Sequence, residues 1–117
     1  MGKTTAVTGT IELATTGPLH YGTFVSFDTT VVGRLSSKAR VYVQVLATQG
    51  GKVVYQWSAD PEFTFPLVQQ DGLAALGIMF DPTKPASCTA SLIYREDAGQ
   101  TIIKTLDQVA FSTEAKP

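Results

Sequence analysis

The 117-residue chain contains no asparagine and only one residue each of cysteine, histidine and tryptophan. Without asparagine there is no N-glycosylation sequon. Lys–Asn isopeptide crosslinks are excluded as well, leaving only Lys–Asp variants. A lone Cys88 excludes an intrachain disulfide and any multi-cysteine zinc site, so the core must hold without a covalent or metal staple. Charge of one sign is also lacking: nine Lys and Arg oppose ten Asp and Glu, for a formal net charge of −1. There is no run of basic residues to track phosphates, which argues against nucleic acid as a partner and against a polybasic membrane anchor. No apolar run is long enough to cross a bilayer, so no membrane insertion is expected. Met1 to Ala6 lacks the apolar region of a secretory signal, so the expected product is made in the cytoplasm without a signal peptide. Gly2 does not complete a myristoylation pattern, because Ala6 stands where Ser or Thr is needed.

What remains is a chain with 44% hydrophobic and 16% charged residues, enough to build one core and too short for two ordinary domains. No segment carries a helical stripe. Short runs of Val, Ile, Thr, Phe and Tyr alternate instead with Gly, Pro, Asp and Ser clusters. Ala6 to Ala14 reads as a first strand stopped by Gly17-Pro18, and Tyr21 to Thr30 as a second. Ala39 to Ala47 has the cleanest period of two, with Val41, Val43 and Val45 on one face and Tyr42, Gln44 and Leu46 on the other. Gly50-Gly51 supplies a hairpin turn to a returning strand, Val53 to Trp57. Glu62 to Val68 alternates, but Pro66 confines it to an edge. Leu73 to Leu76 fits one helical turn. Ser87 to Arg95 forms a second central strand, with Cys88, Ala90 and Leu92 inward. Glu96 to Gln100 reads as a polar turn, and Thr101 to Ser112 as the last strand, with a bulge between Ile103 and Val109 where the apolar period slips. The expected fold is an all-β, immunoglobulin-like two-sheet sandwich of about seven strands. Residues 1–10 are expected to form an N-terminal arm, flexible or partner-bound, that runs into the first strand; residues 11–112 form the sandwich and 113–117 a tail.

Chemistry-bearing residues are sparse, and each has a plain structural reading. Gly2-Lys3-Thr4 lacks the upstream glycine and strand of a phosphate-binding loop. His20 follows Pro18-Leu19 in a loop, without a neighbouring nucleophile or carboxylate in sequence to make it a general base. Cys88 alternates inward, where it packs as a small hydrophobe and does not ionise. Asp71, Asp81, Glu96 and Asp97 fall in expected turns, where acidic residues make local hydrogen bonds, and none belongs to a calcium-loop pattern. No catalytic, metal or cofactor site is therefore expected, and the chain reads as a non-enzyme. The aromatic residues are the exception. Tyr42, Tyr55 and Trp57 on one outward face would form a ligand or partner patch. The competing reading places Trp57 as a cap on one end of the sandwich.

Across residues 19 to 112, the succession Tyr21-Gly22-Thr23-Phe24-Val25-Ser26-Phe27, Ala39-Arg40-Val41-Tyr42-Val43-Gln44-Val45, Gly50-Gly51-Lys52-Val53-Val54-Tyr55, Phe63-Thr64-Phe65 and Ala86-Ser87-Cys88-Thr89-Ala90-Ser91-Leu92 resembles small immunoglobulin-like proteins of actinobacteriophages. Those are regarded as virion components of the head surface or tail. The resemblance implies a structural protein on the capsid or tail surface, with major capsid or tail proteins, or further copies of itself, as partners. Attachment would run through the N-terminal arm or a sheet edge. In that family a cysteine pair joins facing strands; here Val45 takes the first position, leaving Cys88 beside it. The alternative reading is a carbohydrate-binding or adhesion module that uses the aromatic patch on cell-surface glycans.

Overall fold

The computed structural model describes residues 7–68, 75–77 and 79–115 and forms an all-β, two-layer sandwich. Eight strands follow one another: β1 (Thr8–Leu13), β2 (Phe24–Val25), β3 (Phe27–Val32), β4 (Ala39–Gln49), β5 (Lys52–Ala59), β6 (Phe65–Pro66), β7 (Ala86–Ala98) and β8 (Gln100–Thr113). One layer is an antiparallel sheet in the order β5-β4-β7-β8. The other is built from β1 paired with β3 and β2 paired with β6, with β2 and β3 separated only by Ser26.

The period of two in β4 and β7 decides what faces inward. Val43, Val45 and Ala47 from β4 meet Cys88, Ala90 and Leu92 from β7, and all six are buried. Val41 is only partly buried at their margin. From the second layer come Ile11, Val25, Phe27 and Phe65. Phe27 packs edge-on against Phe65 of its own layer, with ring centroids 5.7 Å apart, and joins the layers through Phe111 of β8, tilted at 5.8 Å. Gly50 and Gly51 take positive φ values of 59° and 81°, the backbone of a two-residue hairpin that closes Gln49 onto Lys52.

Several expectations shift. Glu62 to Val68 shrinks to the two residues of β6, because Pro66 offers no N–H to extend the ladder. The turn expected at Glu96 to Gln100 tightens to a reversal at Gly99, with Ala98 already paired to Gln100. Glu96 and Asp97 stay in the strand because side chains satisfy them: the Tyr94 and Ser36 hydroxyls donate to Glu96 and the Thr101 hydroxyl to Asp97. The first strand pairs from Thr8, opposite Val32, within the expected run Ala6 to Ala14. The last strand runs one residue further, to Thr113, which is buried and accepts the Ala86 N–H on its hydroxyl at 3.0 Å. The cross-strand neighbour of Cys88 is Ala47, whereas Val45 faces Ala90. Residues 1–6 and the first half of the helical turn expected at Leu73 to Leu76, Leu73-Ala74, lie outside the described residues.

The bulge expected between Ile103 and Val109 is present. Leu92 pairs with Asp107 and Ile93 with Thr105, leaving Leu106 extra. This is also where β1 crosses the hairpin. The Ile11 N–H donates to the Asp107 carboxylate at 2.9 Å. A Cβ on Gly9 would stand 2.7 Å from Leu92 Cδ2 and 3.0 Å from the Thr30 carbonyl oxygen, so only glycine fits the crossing as built. Beyond it, the starts of β4 and β8 and the end of β7 continue as a three-stranded projection, in which Thr101 to Thr105 are all exposed. The radius of gyration, 16.0 Å, exceeds the value of about 13 Å for a compact chain of this length.

Candidate ligand site on the outward face

The three aromatic residues expected to form one patch are split between the two faces. Tyr42 points outward and is half-buried. Tyr55 and Trp57 pair with Ala47 and Val45, which places both on the core side. Tyr55 is fully buried, and Trp57 is partly buried against the core. The cause is a bulge at Val54. Near the turn Gln49 pairs with Lys52 and Thr48 with Val53, but the next pair is Ala47 with Tyr55. A regular hairpin would have set Tyr55 across from Leu46 and Trp57 across from Gln44, on the face of Tyr42. One inserted residue reverses the side on which every later side chain lies.

Burial holds the Tyr55 hydroxyl well above the ordinary tyrosine pKa, with Cys88 adding to the effect. The hydroxyl is buried without a hydrogen-bond partner in the described structure. Burial likewise pushes the Cys88 thiol up to about 12, which keeps it protonated and removes it as a nucleophile at neutral pH. His20 Nδ1 lies 3.0 Å from the Tyr21 carbonyl oxygen and 3.4 Å from the Thr23 hydroxyl, with no carboxylate among these contacts. Asp81 accepts from the Thr83 hydroxyl and N–H, an arrangement internal to its turn that lowers its pKa. Among the described residues no three His, Cys, Asp or Glu side chains come together as a metal site. Asp71 and Gly2-Lys3-Thr4 lie outside the described residues.

Around Tyr42 a different constellation appears. Arg40 is two residues earlier on the same face, and its direct cross-strand partner is Arg95. The Arg40 guanidinium carbon is 5.8 Å from the centroid of the Tyr42 ring. On the other side of β4, Ser58, Ala59 and Asp60 from the end of β5 complete a hollow of about 320 Å³. Arg95 is held by Asp97 through Nε alone, at 3.2 and 3.3 Å. The Asp97 carboxyl is kept below the ordinary carboxylate range, first by the Thr101 hydroxyl and then by Arg95, with Arg40 contributing at longer range. Arg40 has no ion pair among the described residues. The hollow therefore offers guanidinium donors, an aromatic wall and the acceptors of Ser58 and Asp60. Such a set has the donors and acceptors to hold a polar ligand, and no nucleophile in it is hydrogen-bonded to a base among the described residues.

The sequence marked Tyr42 and missed both arginines. Arg40 shares the face of Tyr42 by simple alternation, a signal that was available. Its juxtaposition with Arg95 depends on the register between strands more than fifty residues apart, which alternation does not encode. Compared with known proteins, the chain matches no family model, no curated protein and no solved structure.

Proposed function

We propose that the chain is a non-enzymatic structural module of a bacteriophage virion, displayed on the capsid or tail surface and attached through a sheet edge. The observation that carries this reading is the β8 edge. Its fourteen residues include a first half that stands beyond the β1 crossing, with Ile102 and Ile103 at 38% and 57% exposure. Edge strands of soluble proteins are normally short, covered or charged, and a long edge with exposed β-branched residues is suited to adding a strand from a partner. Lys104 is the single charge between Gln100 and Thr105. The strand order β5-β4-β7-β8, facing β1-β3 and β2-β6, supports the immunoglobulin-like reading. The resemblance across residues 19 to 112 supports the virion setting.

The test is incorporation. With Ile102→Lys and Ile103→Lys introduced together in the phage, purified particles are expected to lack the protein while the isolated variant keeps its melting temperature. Full occupancy of the variant in the particle would overturn attachment through this edge. Adhesion to cell-surface glycans is the second reading, and the hollow over Arg40, Tyr42 and Arg95 favours it.

A further inference from the structure

Two arginines placed directly across an antiparallel pair repel one another. Both border the hollow on the face of Tyr42. Asp97 offsets one of the two charges, but it grips Arg95 at Nε and leaves the terminal guanidinium nitrogens unengaged. The Arg40 side chain makes no hydrogen bond to the described residues; it lies over the Tyr42 ring and acts on the Asp97 carboxylate only at longer range. Two guanidinium groups side by side, one of them with only its Nε engaged, can receive a planar anion through parallel N–H donors.

The opposite wall limits what that anion is. Asp60 and Ser58 line the hollow across β4 from Arg95, roughly 10 Å away at two strand spacings. A dianion such as phosphate would be drawn to the arginines and repelled by Asp60. A singly charged carboxylate attached to a polyol meets both walls: the carboxylate lies on Arg40 and Arg95, and its hydroxyl groups donate to the Asp60 carboxylate and bond to the Ser58 hydroxyl. The Tyr42 ring between them supplies an apolar wall for the C–H groups of a sugar ring. The hollow, about 320 Å³, lies at the small end of the range for small-molecule sites and suits a single sugar unit of a chain.

We infer that this hollow is a binding subsite for a carboxylated sugar, a uronate or sialate unit of a surface glycan. The inference rests on the adhesion reading and names its ligand class. It is tested by titrating the isotopically labelled full chain at low salt with glucuronate and N-acetylneuraminate and following backbone amide resonances. Glucose, inorganic phosphate and an acidic peptide are titrated in parallel. Saturable shifts are expected at residues 40–42, 58–60 and 93–95 with the acidic sugars, at dissociation constants on the order of 1 mM. Arg40→Gln and Arg95→Gln are each expected to weaken binding about tenfold, and added salt is expected to weaken it further. Equal binding of glucose, or binding that Arg40→Gln leaves unchanged, would overturn the carboxylate assignment while sparing adhesion. Binding of phosphate or the peptide in preference to the sugars would overturn it too. The absence of any sugar-induced shift would overturn both the inference and the adhesion reading.

Discussion

The β7–β8 hairpin is one continuous element with two surroundings, and the boundary falls between Leu92 and Ile93. On one side Ala86, Cys88, Ala90 and Leu92 are buried under the second layer. On the other, the inward-facing residues are Tyr94 and Glu96 on β7 and Ile102 and Lys104 on β8, half-buried or exposed. The same difference runs through β4, where Val43, Val45 and Ala47 belong to the core and Arg40 and Tyr42 border the hollow. Apart from Ile93, which is buried just past the boundary, hydrophobic burial is thus concentrated in one half of the sheet, and the other half holds its shape by pairing three strands and satisfying charges locally. A sheet freed from core packing in that half can keep a repulsive arginine pair and a bare edge, features that a core would not tolerate.

The contrast can be broken from the sandwiched side. Phe65 is fully buried and packs on Phe27 and Phe63, so Phe65→Ala is expected to cost about 3–5 kcal/mol in urea unfolding. Cys88 reports the same burial chemically. With its thiol raised to about 12 in the folded chain against an ordinary value near 9, it should carry about a thousandfold less thiolate at pH 8 than an exposed cysteine. Alkylation in native buffer should be slower by that factor, rising to the free rate in denaturant. The sign for stability follows: the unfolded chain loses this proton first, so the contribution of Cys88 is fully present below the unfolded value. It falls away as pH rises from about 9 toward about 12.

At the boundary itself, Gly9→Val should cost about 1–3 kcal/mol by forcing β1 away from Leu92 and Leu106, measured by the same unfolding midpoint. In the projecting half the sign reverses. Arg40→Thr relieves the like-charge pair and is expected to raise stability by about 0.5 kcal/mol or less, a gain that high salt should shrink. A loss in the projection as large as that of Phe65→Ala would dissolve the distinction between the halves.

How far the sequence reveals these halves depends on whether residue type or backbone register decides the matter. The valines of β4 and the small residues Cys88 and Ala90 of β7 announce a buried face through strict alternation, and the bulge in β8 shows as a slip between Ile103 and Val109. The bulge at Val54 is silent because Val53, Val54 and Tyr55 are all apolar, so the parity of the strand is hidden in the run. That one silent residue turned Tyr55 and Trp57 from a surface patch into core. Glu96 and Asp97 misled in the opposite direction: their charge suggests a turn, but Tyr94, Ser36 and Thr101 satisfy them within the sheet. The arginine hollow was legible only as far as Arg40 sharing a face with Tyr42.

Backbone amide hydrogen exchange along β7 is the most direct test of the division of the sheet into a core-packed half and an exposed half. Amides from Cys88 to Leu92 are expected to exchange only on global unfolding, with protection that tracks total stability and falls in Phe65→Ala. Those from Tyr94 to Asp97 should exchange through local opening, with lower protection that Phe65→Ala leaves unchanged. Uniform protection along the strand, lowered equally by Phe65→Ala at both ends, would contradict the account.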